Sequence, residues 1–173
     1  MIHVRRAGAL DAKAMAALLN AIILKGGTTA FTNEITPDTI EGWFLRAPDQ
    51  SVWHVAEDDT GSVLGFQSIE PHLQLPPEAC DIATFVKVGQ TGLGIGSKLF
   101  EASRKAASAL GFNWINATIR ADNTGGLASV SYTHLTLPTT IPSWSSRGSR
   151  AHKKRGGGGG GGGGAGGGGG GGG

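Results

Sequence analysis

Apolar and polar positions fall into a readable succession of periods along this chain. Residues 2–7 read as a strand. Helical spacing then takes over: Met15, Leu18, Leu19, Ile22 and Ile23 form an apolar stripe on a helix from about Asp11 to Leu24, and Lys25-Gly26-Gly27 ends it. Thr36 is placed to cap a short helix with Pro37 at its first position, and Ile40, Trp43 and Phe44 share one face of it. Strands follow near 51–57 and 62–70, joined by the hairpin signal Asp58-Asp59-Thr60-Gly61, and Pro71, Pro76 and Pro77 mark a loop. In the next strand, 81–88, Ile82, Thr84, Val86 and Val88 alternate with Ala83, Phe85 and Lys87. From Ile95 the period lengthens again, with Leu99, Ala102, Ala106, Ala109 and Leu110 on its face of a helix to 110, before a strand at 113–120. Strands and helices in this order, without strict βαβ repetition, predict an α/β (α+β) fold on a mixed sheet.

The junction between the 81–88 strand and the 95–110 helix carries glycines at 89, 92, 94 and 96. Bare backbone at a helix start leaves N–H groups pointing outward, with the positive end of the helix dipole behind them, which is a cradle for phosphate. The competing reading is a tight turn that uses glycine for positive φ with no ligand. A P-loop requires Gly-Lys-Ser/Thr, whereas Gly96-Ser97-Lys98 has the order reversed. A dinucleotide fingerprint requires Gly-x-Gly-x-x-Gly after the first strand of a βαβ unit, and Gly92-x-Gly94-x-Gly96 does not meet it.

Composition narrows the classes. Cys80 is the only cysteine, so neither a disulfide framework nor a cysteine zinc site is expected, and no metal is predicted. No apolar run reaches the ~20 residues needed to span a bilayer, and Met1-Ile-His-Val-Arg-Arg6 is not a signal peptide, so the expected location is cytoplasmic, away from membranes. The whole chain has a formal charge of +2, from 15 basic and 13 acidic residues. Arg147, Arg150, Lys153, Lys154 and Arg155 lie in the tail, which has no acid; setting those five aside leaves 10 basic against 13 acidic residues, a net of −3 for residues 1–128. The basic character is therefore no sign of a nucleic-acid partner, and no aromatic platform interleaves with the tail's basic residues.

The glycine junction resembles the acetyl-CoA-binding loop of the GNAT superfamily of N-acetyltransferases, which carries Arg/Gln-x-x-Gly-x-Gly/Ala between a strand and a helix. Gly94-Ile95-Gly96 matches the end of that motif; its Arg/Gln position falls on Thr91, with Gln90 one residue early. The first strand and helix, the strand Phe112 to Arg120, and Ala121-Asp122-Asn123-Thr124-Gly125-Gly126-Leu127-Ala128, similar to an asparagine-bearing helix start, follow the family's order. Thr29 to Glu34 with Trp43-Phe44 is similar to the phosphinothricin-type, amino-acid-acetylating subgroup. The resemblance covers residues 1–128, one domain near the common size.

From Ser129 the chain departs from the family. Val130 to Thr139 is what the codons of a transposase adapter used in DNA sequencing encode, and Gly156 to Gly173, broken only by Ala165, resembles a no-signal base call translated as glycine. Residues 129–173 are therefore expected to be a non-native or disordered low-complexity tail, the alternative being a genuine Ser/Thr- and Gly-rich linker. The domain would lack part of its last helix and its last two strands. That predicts a poorly folding chain of weak or no activity.

The resemblance implies a chemistry. Acetyl-CoA would be the acyl donor, its diphosphate on the amides of Thr91, Gly92, Leu93, Gly94, Ile95 and Gly96, and its pantetheine arm beside the backbone at Val86 and Val88. Asn123 would bond that arm; a turn or N-cap asparagine is the competing reading. Asp81 is the candidate base for the attacking amine, against a solvated strand-entry aspartate, with Glu70 and His72 as alternates. Phe31 and Glu34 would face a small-molecule amine, although a packing phenylalanine and a surface acid are the default readings. The family often protonates the departing thiolate with a tyrosine. The only one here, Tyr132, lies inside the adapter-like string, and no role is carried to it. Relatives often pair, which implies a homodimer. Two other classes compete: a CoA- or nucleotide-binding module without turnover, and an interaction protein working through its basic Gly-rich tail.

Overall fold

A computed structural model describes residues 1–118. The expected end of the last strand, Asn123, Tyr132 and the tail lie outside the described residues. The chain runs β1 (His3–Arg6), a 3-10 turn (Ala9–Asp11), α1 (Ala12–Lys25), α2 (Pro37–Phe44), β2 (Val52–Glu57), β3 (Val63–Glu70), β4 (Ala79–Val86), α3 (Ile95–Ala109) and β5 (Trp114–Ala117). The strands form one mixed sheet in sequential order, antiparallel from β1 to β4 and parallel between β4 and β5. A parallel pair cannot be joined by a tight turn, and α3 is the crossover that joins this one.

Alternation along the strands divides the core into two layers. Trp53, Val55 and Phe66 face α1 and α2, where they meet Met15, Leu19, Ile22 and Ile40. Val52, Ile69, Cys80 and Ile115 face the opposite way, onto Phe100 and Ala107 of α3. His54 Nδ1 lies 3.2 Å from Ser103 Oγ, joining β2 to α3 within that second layer. Burial holds the imidazole below its ordinary pKa, so it packs as a neutral ring.

Local chemistry sets the element ends. Thr36 Oγ1 accepts the Thr39 amide at 3.2 Å with Pro37 following, so α2 begins where its sequence signal stands. Asp58 Oδ1 accepts the amides of Thr60 and Ser62 at 2.9 and 3.0 Å, which closes the β2–β3 hairpin. The helix expected from Asp11 begins one residue later, because Asp11 ends the 3-10 turn: its carboxylate takes both Arg5 guanidinium nitrogens, at 2.9 and 2.8 Å, and the Gly8 amide at 2.9 Å. Asn20 on α1 clamps both backbone groups of Ile35 at 2.8 Å each, tying the end of the α1–α2 loop to the helix.

One boundary matters for the site. The strand expected at 81–88 is shifted to Ala79–Val86. It gains Ala79 and Cys80 because these pair with Trp114 and Ile115 of β5. It stops at Val86: the Lys87 amide still bonds in register to Leu64 O (2.8 Å), but the Lys87 carbonyl accepts the Gln90 amide (3.0 Å) and so begins a turn. Val88 thus sits in the loop, outside the ladder. The reading that put Val88 beside a bound pantetheine strand loses its strand geometry, because period-two alternation carries on into residues that the turn has already taken out of the sheet.

Candidate active site

Ala79, Cys80, Asp81 and Ile82 face Trp114, Ile115, Asn116 and Ala117, and no described residue pairs with β4 on that side beyond Ile82. Ala83 to Val86 still bond to β3, with Val86 opposite Gly65. Among the described residues this half-strand has no ladder partner on that edge, and strand addition by an extended ligand needs such an edge. The edge leads straight to the glycine loop.

In that loop Gly89, Gly92 and Gly94 have φ of 82°, 85° and 79°. Gly94 is the N-cap of α3 in the left-handed region, which only glycine enters without strain. Among the described residues no hydrogen bond occupies the amides of Thr91 to Ser97; Lys98 is the first to bond back, to Gly94 O at 3.1 Å. Thr91, Gly92, Leu93 and Gly94 are exposed. Ile95 differs: its side chain is core, 1 % exposed, so only its backbone can serve a ligand. The helix start is held against the sheet by a close approach at Gly65, where a Cβ would sit 2.9 Å from Phe85 O and 3.0 Å from Ile95 Cγ2. Open amides at the start of a 15-residue helix fit a diphosphate.

Asp81 stands one pair before the last described rung of the β4–β5 ladder. Asn116 Nδ2 donates to its Oδ1 at 2.8 Å. Burial pushes its carboxyl above the ordinary aspartate range, against the Asn116 bond and the His72 charge, which pull the other way. Asp81 lies directly across the ladder from Glu70. Glu70 is also pushed up by burial; nearby Arg46 opposes the shift and Asp81 adds to it. Its Oε1 is buried and finds no hydrogen-bond partner among the described residues. His72 follows β3, exposed, and its Nδ1 accepts the Gln74 amide at 3.2 Å. The structure thus gathers the three candidate bases at one end of the β3–β4 pair. Cys80 is no competitor: burial pushes its thiol to about 12, so it stays protonated.

Trp53, Phe66 and Phe85 floor the face that bears Glu70 and Asp81. Phe66 and Phe85 are 4.9 Å apart between centroids, and Phe31 stacks on Trp43 at 5.4 Å and reaches Phe85 at 6.3 Å. Phe31 therefore extends the floor from the α1–α2 loop, whereas Glu34 is exposed and bonded to no described residue. Sequence reasoning missed Arg46, Asn116 and the stack on Trp43. Arg46 and Asn116 carry no motif; only the register Asp81↔Asn116 and the end of α2 bring them here. A separate recess of about 380 Å³ lies where β1, β2 and the end of α2 meet, lined by Arg6, Glu41, Phe44 and Pro48 among others, away from these carboxylates.

This mixed sheet, with its parallel last pair and glycine-started helix, is the fold of the acyl-CoA N-acyltransferases. No family model matches the chain. It is 28% identical over 115 residues to "Putative phosphinothricin acetyltransferase YwnH" of Bacillus subtilis (strain 168), spanning 65% of this chain and 71% of that one. The crystal structure of an N-acetyltransferase from Staphylococcus aureus Mu50 superposes with a TM-score of 0.68 at 26% identity, covering 78% of this chain and 81% of that one. A GNAT superfamily phosphinothricin acetyltransferase from Sinorhizobium meliloti, solved in complex with acetyl-CoA, has a TM-score of 0.67 at 20% identity, over 78% and 72% of the two chains, and shares the fold. In sequence and in fold the chain is thus similar to phosphinothricin-type acetyltransferases of the GNAT superfamily.

Proposed function

We infer that the chain is an acetyl-CoA-dependent N-acetyltransferase that acetylates the amine of a small amino-acid-like molecule by direct attack. The observation that carries the reading is the edge of Ala83–Val86, without a ladder partner among the described residues, running into the amides of Thr91 to Ser97, which no described residue occupies. An extended amide-bearing arm ending in a diphosphate matches both halves, and the diphosphate gains from the helix dipole as well as the N–H groups.

The amine must lose a proton before its nitrogen bonds to the thioester carbonyl carbon and the carbon–sulfur bond breaks. Asp81 is assigned as the base that takes that proton, and Glu70 and His72 flank it. A carboxyl raised by burial is a stronger base than a solvated one, which suits an ammonium ion that must be deprotonated. Phe31 and the aromatic floor would receive the acceptor's apolar part. Glu34 stays assigned to the acceptor side as an exposed acid. Val86 keeps its backbone role; Val88 would serve only as loop backbone. Residues 1–128 are assigned as the transferase domain, and the tail is given no part in it.

Calorimetry of the full chain with acetyl-CoA, paired with thiol release over an amino-acid panel, tests this. Heat of binding together with acceptor-dependent thiol release is the expected outcome. Binding without turnover on any amine would make the protein a donor-binding module, and absence of binding would remove the transferase reading.

A further inference from the structure

Arg46, just past the end of α2, is the feature that the transfer chemistry leaves unused. Its guanidinium carbon lies 5.6 Å from the centroid of the Trp43 ring, and Nη2 is 3.7 Å from Glu70 Oε2. That second distance is an ion pair without a hydrogen bond. No described residue accepts from any of its side-chain N–H groups. Its side chain remains 58% exposed, against 24% for Glu70. A guanidinium held over an indole is positioned while its donor fork stays unspent. Such a fork fits a planar carboxylate through two parallel bonds.

The surroundings define what that carboxylate would belong to. Trp43 stacks on Phe31 and Trp53, so Arg46 stands on the rim of the aromatic floor. Glu70, its neighbour, faces Asp81 across the β3–β4 ladder. Positive charge at the rim, an apolar floor and two carboxylates side by side complement a zwitterion with an apolar side chain. We propose that Arg46 is a specificity-determining residue that anchors the carboxylate of a free α-amino acid acceptor and directs its amine toward the Glu70–Asp81 pair. The inference rests on the acetyltransferase reading and specifies its acceptor: a simple amine, or an amino acid whose carboxyl is masked, lacks the group that Arg46 takes.

The test is ligand binding to the full chain, with L-leucine and L-leucinamide as probes, followed by calorimetry or saturation-transfer NMR. Wild type is expected to prefer leucine by about tenfold or more, as a charge-assisted bidentate pair provides. Arg46→Gln abolishes the preference by weakening leucine alone. Arg46→Lys, which keeps the charge without the fork, keeps part of it. Acetyl-CoA binding and the thermal melt, measured on the same samples, stay at wild-type values. Equal binding of the two probes by wild type, or a preference that survives in Arg46→Gln, overturns the proposal while an intact acetyl-CoA signal leaves the transferase reading standing. Loss of the acetyl-CoA signal in wild type is the separate result that removes that reading.

Discussion

Asp81 is a single carboxylate in three environments at once: at the end of a shared ladder, under a bond from Asn116, and across from Glu70. If it is the base, Asp81→Asn lowers kcat/KM by about 10² to 10⁴ and leaves acetyl-CoA binding unchanged by calorimetry. The base must be ionised to accept a proton, and burial raises its pKa. Activity is therefore expected to fall, as pH drops, at a higher pH than an ordinary aspartate would give. A pH–rate profile of the wild type locates that limb. Glu70 yields a stability prediction with its own sign. Its folded-state pKa lies above the unfolded value, so the fold favours the neutral form. The ionised group costs stability above the folded pKa, and that cost disappears as pH falls below the ordinary glutamate value. Glu70→Gln should raise Tm at neutral pH, with the gain closing at acid pH; a melt series on both proteins reads the difference.

At the scale of elements, α3 and β4 position the cradle, and Gly65 sets their spacing. The close contacts with Phe85 O and Ile95 leave no room for a methyl group. Gly65→Ala is expected to cost about 1–3 kcal/mol by overpacking and to weaken acetyl-CoA binding, since moving Ile95 moves the start of α3. Denaturant melts and calorimetry measure the two effects. Strand and helix existence was legible throughout: period-two and helical spacing located all five strands and three helices among the described residues. Caps and turns fixed the ends where a side chain makes the bond, as at Thr36 and Asp58. The end of β4 was not legible, because Val88 continues the alternation while the turn closed by the Gln90 amide on Lys87 O has already ended the ladder.

For the whole molecule, the mixed sheet brings residues far apart in the chain to one cleft. Phe31, Arg46, Glu70, Asp81 and Asn116 come from a loop, a helix end and three strands. No helix among the described residues is long and apolar enough to cross a membrane. The tail enters as a prediction from composition: removing residues 129–173 should leave Tm and acetyl-CoA binding unchanged, because glycine-rich, low-complexity sequence has too little apolar surface to offset the entropy of ordering it. A drop in Tm or in affinity on truncation would assign that segment a part in the domain.

The glycine loop, the element order and the candidate carboxylates were determined locally, by period, capping chemistry and residue type, and these are properties a sequence carries on its face. Pairing register is not local. It decided that Glu70 opposes Asp81 and that Asn116 bonds to it. Those facts depend on which strands neighbour one another and where each ladder stops, and packing of the whole sheet against its helices sets both.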